Sequence, residues 1–328
     1  MSYQHPRRGC IDIIFVTFTI LNPDLYYGTM IIDAHIHIWH RDMIPDRAIE
    51  NYLEPLKKLK GMYGGVFDIG LDEEIPFADY KYSMSESKEM LDACKMDHAV
   101  VLGTDFELVN EHRMTNDQYM DWLFEICSTD DRYIPFISVD PNKGEDALRS
   151  VERLVKKYAP KGIKVYPATG FYPDDPKYDA YWDLIDDLGL VITTHAGMAL
   201  PPLDEKYCHP KFFDRIAEKH PDMKIIIAHL GGKFHDELFP LMDAHDNVYT
   251  DCSALQGWIP VDPTMVDRRL EEVSSRYPDR VVFGSDSPLY NERTTVQRYM
   301  DIIMDGKWGT RKVKEDILGN NMARILGI

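Results

Sequence analysis

The stretch IIDAHIHI at residues 31–38 is an apolar run that carries two histidines two positions apart. In an extended strand successive side chains alternate between the two faces, so His35 and His37 are predicted to point the same way and Ile36 the other. Two neighbouring imidazoles suit one metal ion, although His-x-His pairs are also common on ordinary surfaces. A metal site therefore requires further ligands from other parts of the chain.

The composition is that of a globular protein with a charged surface. The chain has 328 residues, of which 44% are hydrophobic and 28% are charged, enough for a substantial core. Its 37 basic and 55 acidic residues give a formal charge of −18, which argues against binding to a phosphate backbone. We therefore expect a small-molecule substrate and no nucleic-acid partner. An anionic substrate stays compatible, because a bound metal reverses the local charge.

The N-terminal region contains a short apolar run that could be taken for a membrane segment. Residues 11–21 follow two arginines, but Asp12 interrupts the run, no small-x-small cleavage site follows, and the run is too short to span a bilayer. We predict no membrane association. Residues 1–29 are predicted to be an N-terminal extension, either disordered or a mis-assigned start, and residues 30–328 a single domain.

The five cysteines are scattered and never spaced as C-x-x-C. This pattern is typical of reduced thiols and not of a disulfide framework or a zinc finger. We therefore expect a cytoplasmic location. A homodimer is compatible with the sequence, which leaves the oligomeric state open.

Apolar, β-branched runs bounded by turn residues alternate along the chain with segments of helical period. Such alternation predicts a parallel sheet covered by helices, and eight units close into a (β/α)₈ TIM barrel. An open doubly wound sheet is the alternative, but no glycine-rich phosphate loop follows any strand. The predicted strands are 31–36, 98–102, 134–139, 162–166, 190–194, 224–228, 247–250 and 280–284. The predicted helices are 86–96, 117–129, 144–158, 177–188, 210–220, 234–245 and 263–277.

Residues 38–85 form the longest interruption of this pattern. In a barrel they would be an enlarged first strand-to-helix loop at the mouth of the active site. The loop is then either a lid or substrate wall, or a surface excursion without catalytic consequence.

Polar side chains stand where several predicted strands end. VITT is followed by His195, IIIA by His229 and VVFGS by Asp286. Active sites of (β/α)₈ barrels lie at this end of the strands, so these residues and the first-strand histidines converge if the barrel closes. Imidazole and carboxylate are the donors that a zinc-like cation prefers. The pattern predicts a metal site.

Lys164 lies in the middle of the fourth predicted strand, where an unpaired charge would be costly. It could bridge two metals after carboxylation, hold a substrate carboxylate or pair with an acidic neighbour. We favour substrate binding or pairing with a carboxylate near the metal over carboxylation. Four aromatic residues near strand ends could wall a substrate ring or simply pack at the rim; they are Trp39, Tyr166, Trp258 and Tyr290.

Several segments, taken in order, resemble one family. They include IIDAHIHIW, VITTHAG, IIIAHLGG, NVYTDCSAL, VVFGSDSP and the closing LGNNMARILG. The chain resembles the amidohydrolase-related branch of the metal-dependent amidohydrolase superfamily over about residues 30–328. That branch includes aminocarboxymuconate semialdehyde decarboxylase and hydrolase relatives.

The resemblance implies a (β/α)₈ barrel with one divalent metal ion, commonly zinc. The ion would be held by the residues at matching positions, which are His35, His37, His195 and Asp286. The position of His229 implies a base or orienting acid beside the activated water. A site with a second metal ion, bound through a carboxylated Lys164, is the less favoured alternative.

The resemblance leaves the reaction open between two chemistries. Lys164 matches a lysine that is frequent in hydrolase-like members, whereas Tyr166 stands where many relatives have a histidine. We therefore expect a metal-dependent hydrolase of a small carboxylate-bearing or cyclic substrate, with Lys164, His229 and Asp286 catalytic and with Lys164, Tyr166 and Trp39 contacting the substrate. The alternatives are a metal-dependent decarboxylase of an aromatic or unsaturated acid and a non-catalytic scaffold. The remaining histidines are predicted to lie outside the site; they are His98, His112, His209, His220, His235 and His245.

Overall fold

The computed structural model describes residues 30–47, 50, 83–110, 113–199, 201–291 and 293–328. The predicted N-terminal extension, most of the predicted first loop and His112 lie outside these residues. Among the helices of the described residues, none combines the length and the apolar composition needed to cross a membrane.

The sheet contains the eight predicted strands, all parallel and arranged in the order of the chain. Each predicted strand is confirmed to within a few residues. The strands are β1 Ile32–Ile36, β2 His98–Leu102, β3 Tyr133–Ser138, β4 Gly162–Val165, β5 Val191–Thr194, β6 Ile225–Ile227, β7 Val248–Asp251 and β8 Val281–Val282.

Backbone hydrogen bonds join the segment after β8 back to β1. The N–H of Ala34 donates to the carbonyl of Phe283 at 2.8 Å, and the N–H of Asp286 donates to the carbonyl of His35 at 2.8 Å. These bonds bring the two edges of the sheet together. The fold is therefore the predicted (β/α)₈ TIM barrel.

A helix follows each strand in the described residues, and the seven predicted helices are confirmed with bounds shifted by a few residues. Three further helices follow β8 and were not predicted. The helices are α1 Met84–Ala93, α2 Asn116–Cys127, α3 Glu145–Tyr158, α4 Asp179–Asp187, α5 Asp214–Lys219, α6 His235–Ala244, α7 Thr264–Ser274, α8 Val296–Asp305, α9 Arg311–Glu315 and α10 Asn321–Leu326.

Helix α10 covers the end of the barrel at which the strands begin. The ammonium of Lys161, just before β4, donates to the carbonyl of Leu326 at 3.2 Å. The ammonium of Lys224, just before β6, donates to the carbonyl of Ile325 at 2.8 Å. Because these lysines occupy carbonyls at the C-terminal end of α10, the helix stays against the strand starts. The opposite end is left to the loops that carry the predicted site.

The core has two layers. One lies between the strands and the outer helices, and the other fills the barrel interior against α10. The interior layer contains side chains that strand alternation turns inward on both sides of the barrel. Its strand residues are Ile32, Ala34, Val100, Leu102, Phe136, Val191, Ile226 and Val282.

A β-bulge in β1 changes which face its side chains occupy. Between Asp33 and Ile36, β1 has one residue more than the facing part of β2. Ala34 packs in the barrel interior, whereas Ile36 packs in the outer layer. The extra residue therefore lets Ala34 and the adjacent His35 both face inward. His35 and His37 lie on the same face, as predicted. The regular alternation of faces that the prediction assumed is interrupted by the bulge just before His35.

Asp33 holds this bulge and the seam with β8. Its Oδ1 accepts the N–H of His35 at 3.0 Å and the N–H of Ser285 at 3.0 Å. The side chain is fully buried, and burial raises the pKa of Asp33 to about 7. One carboxylate oxygen of Asp33 thus links the backbone of His35 to the backbone of Ser285, the residue before Asp286.

Replacing Asp33 by alanine is expected to destabilise the barrel. The change leaves two buried N–H groups without an acceptor, each costing about 1–3 kcal/mol. We expect Asp33→Ala to lower the free energy of unfolding by about 2 kcal/mol or more in urea titrations. Asp33→Asn keeps an acceptor oxygen and serves as the matched control. Equal unfolding midpoints for the alanine variant and the wild type would contradict this role.

Candidate metal centre

The imidazoles of His35 and His37 present unprotonated nitrogens to each other. His35 Nδ1 donates to Asp251 Oδ2 at 2.8 Å, and His37 Nδ1 donates to the carbonyl of Leu102 at 2.9 Å. A carboxylate and a carbonyl only accept, so the hydrogen of each neutral ring lies on Nδ1. Each Nε2 therefore keeps its lone pair, and the two Nε2 atoms lie 3.2 Å apart.

Asp286 adds a third acceptor to this pair. Its Oδ1 lies 3.5 Å from His35 Nε2 and 3.3 Å from His37 Nε2. Asp286 has a left-handed backbone with φ of 59°, at the turn after β8 that directs its side chain back to β1. All three side chains are buried. Three acceptor atoms without a hydrogen between them repel one another unless a cation lies among them.

The spacing of these three atoms suits a tetrahedral zinc-like ion. Ligand distances of about 2.0–2.2 Å in a tetrahedral site place donor atoms about 3.3 Å apart. The three separations here, 3.2, 3.3 and 3.5 Å, match that edge length. The donor set of two neutral imidazoles and one carboxylate therefore fits a divalent metal.

His195 lies next to this group without joining the three closely spaced donors. Its Nε2 donates to the carbonyl of Met198 at 3.1 Å, so its Nδ1 carries the lone pair. Tyr166 stacks on the ring, with 4.3 Å between centroids and an angle of 10°. Nδ1 faces His229 Nε2 at 3.2 Å. The role of His195 as the fourth ligand stays a prediction.

His229 is placed by a run of unusual backbone conformations after β6. His229 and Leu230 have φ of 60° and 50°, and Gly231 and Gly232 continue the run with positive φ. The N–H of His229 donates to Asp251 Oδ1 at 2.8 Å. A non-glycine residue with positive φ is strained, and such strain is commonly found at functional sites.

Asp251, at the end of β7, was missed as a site residue by the sequence analysis. Its Oδ2 accepts from His35 Nδ1, and its Oδ1 accepts the N–H of His229. The side chain is fully buried. The available signal was its position, since it is a polar residue closing an apolar strand, as Asp286 is. Asp251 orients two predicted site histidines at once.

Lys164 supplies a buried cation to the same region. Within the described residues, its Nζ has no hydrogen-bond partner, and its side chain is completely buried. Burial lowers the pKa of Lys164 to about 8, while the charges of Asp251 and Asp286 oppose that shift. The amine is therefore mostly protonated at neutral pH and open to an incoming acceptor group.

Burial also keeps the site histidines neutral. It lowers the pKa of His195 to about 3 and the pKa values of His35 and His229 well below the ordinary value. The nearby charge of Lys164 acts in the same direction on all three rings. Burial raises the pKa of Asp286. Neutral imidazoles are the form that binds metal and accepts protons.

A cavity of about 90 Å³ opens beside these groups. Lys164, His229 and Asp286 lie on its polar side, and Trp39, Phe106, Tyr166 and Leu203 are among its apolar walls. Trp39 stacks on His37 with 4.7 Å between ring centroids. The structure thus places the predicted substrate contacts Trp39, Tyr166 and Lys164 around one cavity.

Two predicted wall residues lie elsewhere. Trp258 is 53% exposed, and the ring of Tyr290 packs against Gly257; neither lines the cavity. A larger cavity of about 530 Å³ lies between the starts of β4–β6 and α10, and it contains none of the predicted site residues.

Of the histidines predicted to lie outside the site, those in the described residues are engaged on the outside of the barrel, apart from His98 at the start of β2. Each of them pairs with a carboxylate of a neighbouring element, as His245 does with Asp214 at 2.8 Å. The remaining pairs are His209 with Glu237, His220 with Asp183 and Asp186, and His235 with Glu272.

Comparison with known proteins identifies a family. The family model described as Amidohydrolase matches residues 32–328. No curated protein matches the chain.

Three solved structures show the same fold at low sequence identity. A TIM-barrel protein from Bordetella bronchiseptica is 16% identical, with a TM-score of 0.64, over 91% of this chain and 98% of its own. A 5-carboxyvanillate decarboxylase from Novosphingobium aromaticivorans, complexed with manganese and 4-hydroxy-3-methoxy-5-nitrobenzoic acid, is 17% identical, with a TM-score of 0.64, over 92% and 97%. A putative 2-pyrone-4,6-dicarboxylic acid hydrolase from Pseudomonas putida is 14% identical, with a TM-score of 0.58, over 91% and 98%.

The metal site is testable through His35. Metal-free protein is expected to bind about one zinc ion per chain in calorimetric titration, the stoichiometry of a single catalytic site. His35→Ala is expected to lose this binding, because one of three converging donors is removed. His245→Ala, which changes a histidine on the outer surface, is the matched control and should bind zinc as the wild type does. Unchanged zinc binding by His35→Ala would contradict the assignment.

The approach of Gly232 to Gly197 gives a second test. A Cβ on Gly232 would lie 2.7 Å from the Cα of Gly197, whereas a Cβ on Gly144 would meet nothing within 4 Å. Gly232 and Gly144 share a backbone conformation, with φ/ψ of 56°/−129° and 61°/−127° respectively. Both alanine variants should lose about 1–3 kcal/mol of stability through backbone strain.

Only Gly232→Ala should also disturb the site, because its Cβ would push the loop of His229 away from the loop of His195. We expect weaker zinc binding for Gly232→Ala in the same calorimetric titration and wild-type binding for Gly144→Ala. Equal zinc affinity in both variants would show that this close approach does not position the two histidines.

Proposed function

We propose that this chain, which belongs to the amidohydrolase family, is a metal-dependent hydrolase that activates water against a small carboxylate-bearing or cyclic substrate, such as a lactone or an amide. The main support is the set of three acceptor atoms from His35, His37 and Asp286, held 3.2–3.5 Å apart with their hydrogens directed elsewhere. A divalent cation stabilises such a set, and an open position for water beside it is typical of catalytic zinc.

His35, His37 and Asp286 would hold the ion, with His195 as the predicted fourth ligand. A divalent ion in such a site lowers the pKa of a water from about 15.7 towards about 7 and polarises a carbonyl oxygen. Zinc is proposed because two or three imidazoles and a carboxylate are its usual catalytic ligands. The manganese reported with the Novosphingobium decarboxylase belongs to that protein.

His229 is proposed to move the proton that hydrolysis requires. It is neutral because burial holds its pKa well below the ordinary value. Its Nε2 lies 3.2 Å from His195 Nδ1, at the side of the cavity. A lone pair there can take a proton from the attacking water and return it to the leaving group, as general acid–base catalysis requires. Asp286 is the second candidate for this proton.

Lys164, Tyr166 and Trp39 are proposed to bind the substrate. The buried amine of Lys164 has a pKa of about 8, so at neutral pH it is mostly protonated and suited to a substrate carboxylate. Tyr166 and Trp39 are already stacked on His195 and His37, so they present fixed faces to a flat substrate. The cavity of about 90 Å³ limits the substrate to a small molecule.

Decarboxylation of an aromatic or unsaturated acid is the second candidate. The aromatic and aliphatic walls of the cavity around the Lys164 ammonium favour decarboxylation. In an apolar cavity the negative charge of the substrate carboxylate can spread into the ring as carbon dioxide leaves. The electron pair of the broken bond would stay on the ring carbon, and His229 would pass a proton from a water at the site to that carbon, leaving hydroxide that combines with the released carbon dioxide. Carboxylation of Lys164, a cytoplasmic location and a homodimer remain predictions.

Product analysis separates the two reactions. Zinc-loaded protein is incubated with small lactones, amides and aromatic carboxylic acids, and released acid and released carbon dioxide are measured in parallel. We expect acid release from a carboxylate-bearing lactone or amide without carbon dioxide. Carbon dioxide release from an aromatic acid, without hydrolysis of the others, would replace the first proposal by the second.

The Lys164→Met variant tests carboxylate binding for whichever reaction is found. The unbranched side chain keeps the volume but removes the cation, so KM should rise by about 10- to 100-fold, equivalent to about 1.4–2.8 kcal/mol. The wild-type KM should rise as the pH passes above about 8, where the amine loses its proton, and the variant should lack this change. An unchanged KM in the variant would assign Lys164 another role.

A further inference from the structure

The hydroxyl of Ser253 lies between the carboxylate of Asp251 and the imidazole of His229. Its Oγ is 2.7 Å from His229 Nδ1 and is hydrogen-bonded to Asp251 Oδ1. The backbone N–H of Ser253 donates to the same Oδ1 at 3.0 Å. Ser253 is 1% exposed and Asp251 is fully buried, whereas His229 is half-buried and lines the cavity.

The direction of these hydrogen bonds follows from the chemistry of the partners. A carboxylate only accepts, so the hydroxyl hydrogen of Ser253 is directed to Asp251. The oxygen of Ser253 is then left as the acceptor, so the hydrogen between it and His229 lies on Nδ1. Ser253 Oγ also lies 3.3 Å from His35 Nδ1, but the hydrogen of that ring is directed to Asp251 at 2.8 Å.

We propose that Ser253 is a positioning residue that selects the tautomer of His229. With its hydrogen on Nδ1, a neutral His229 keeps the lone pair on Nε2, which faces the lone pair of His195 Nδ1 at 3.2 Å, so a cation or a water hydrogen is required between the two nitrogens. In the opposite tautomer, Nε2 would carry a hydrogen and could not accept a proton at the cavity. The importance of this tautomer for turnover rests on the proposed function, whereas the tautomer itself requires no substrate.

The two carboxylate oxygens of Asp251 contact different histidines. Oδ2 accepts from His35, and Oδ1 accepts from Ser253 and from the backbone of His229. Loss of the Ser253 hydroxyl leaves the contact between Asp251 and His35 in place. Removing it should therefore release the ring of His229 without removing a metal-facing contact.

The tautomer can be read directly by nitrogen NMR. Protein labelled with ¹⁵N-histidine is studied metal-free and zinc-loaded, and the signals of His229 are identified by their absence in His229→Gln. We expect the wild type to carry its ring hydrogen on Nδ1 of His229 in both states. A ring hydrogen on Nε2 in the wild type would overturn the proposal without reference to any variant.

Ser253→Ala tests the link to the hydroxyl. The Nε2-protonated form of His229 should become populated, and kcat should fall by about 10- to 100-fold with KM unchanged, as for other hydrogen-bond partners of metal-site residues. Zinc binding should stay near the wild-type affinity. Ser253→Thr restores a hydroxyl and should recover both the tautomer and kcat.

Ser274→Ala, which changes a buried serine at the last position of α7, is the matched control and should leave every readout unchanged. Wild-type tautomer and kcat in Ser253→Ala would overturn the proposal. If no substrate is turned over while the tautomers behave as expected, the proposed function fails and the positioning role stands. Should Ser253→Ala fail to fold, the wild-type spectrum still decides the tautomer.

Discussion

The site depends on one electrostatic constraint, the convergence of acceptor atoms that have no hydrogen to share. His35 and His37 have directed their ring hydrogens to Asp251 and to the carbonyl of Leu102. Their free nitrogens and Asp286 Oδ1 therefore face one another at 3.2–3.5 Å. Burial strengthens the repulsion, because the interior of a protein screens electrostatic interactions less than water does. A divalent cation at this point would convert that repulsion into attraction.

Much of the surrounding structure maintains that convergence. The seam between β8 and β1 brings Asp286 to the histidines, and the bulge in β1 turns His35 inward after an apolar Ala34. Asp33 links both features through two backbone N–H groups. These groups belong to the backbone, so the position of the proposed metal ligands is set by sheet geometry and not only by side-chain contacts.

The same barrel end offers chemistry beyond metal binding. Asp251 connects His35 to His229, and Ser253 lies between Asp251 and the ring of His229. Lys164 places a cation of lowered pKa against the aromatic walls. The arrangement would pair the proposed water-activating centre with the proposed carboxylate-binding side across a small cavity. Specificity then depends on the few walls that the strand-end loops supply.

Sequence patterns alone were sufficient for the architecture and for the types of the site residues. The eight strands were predictable because buried parallel strands are continuous apolar runs, and the histidines and aspartate were visible because polar residues interrupt those runs at their ends. The helices after β8 were missed, since the prediction ended with the last strand. Trp258 and Tyr290 were grouped with the substrate walls by their positions, although their side chains point elsewhere.

Only the tertiary structure decided the orientation of the groups. The bulge, the tautomers and the sharing of Asp251 depend on contacts between different segments, from His229 with Asp251, 22 residues apart, to His35 with Asp251, 216 residues apart. Local periodicity has no information about such contacts, because it reports the face of a strand and not the partner across a barrel. The chain therefore determined by itself which donors are present, while closure of the barrel decided which atoms of those donors face one another.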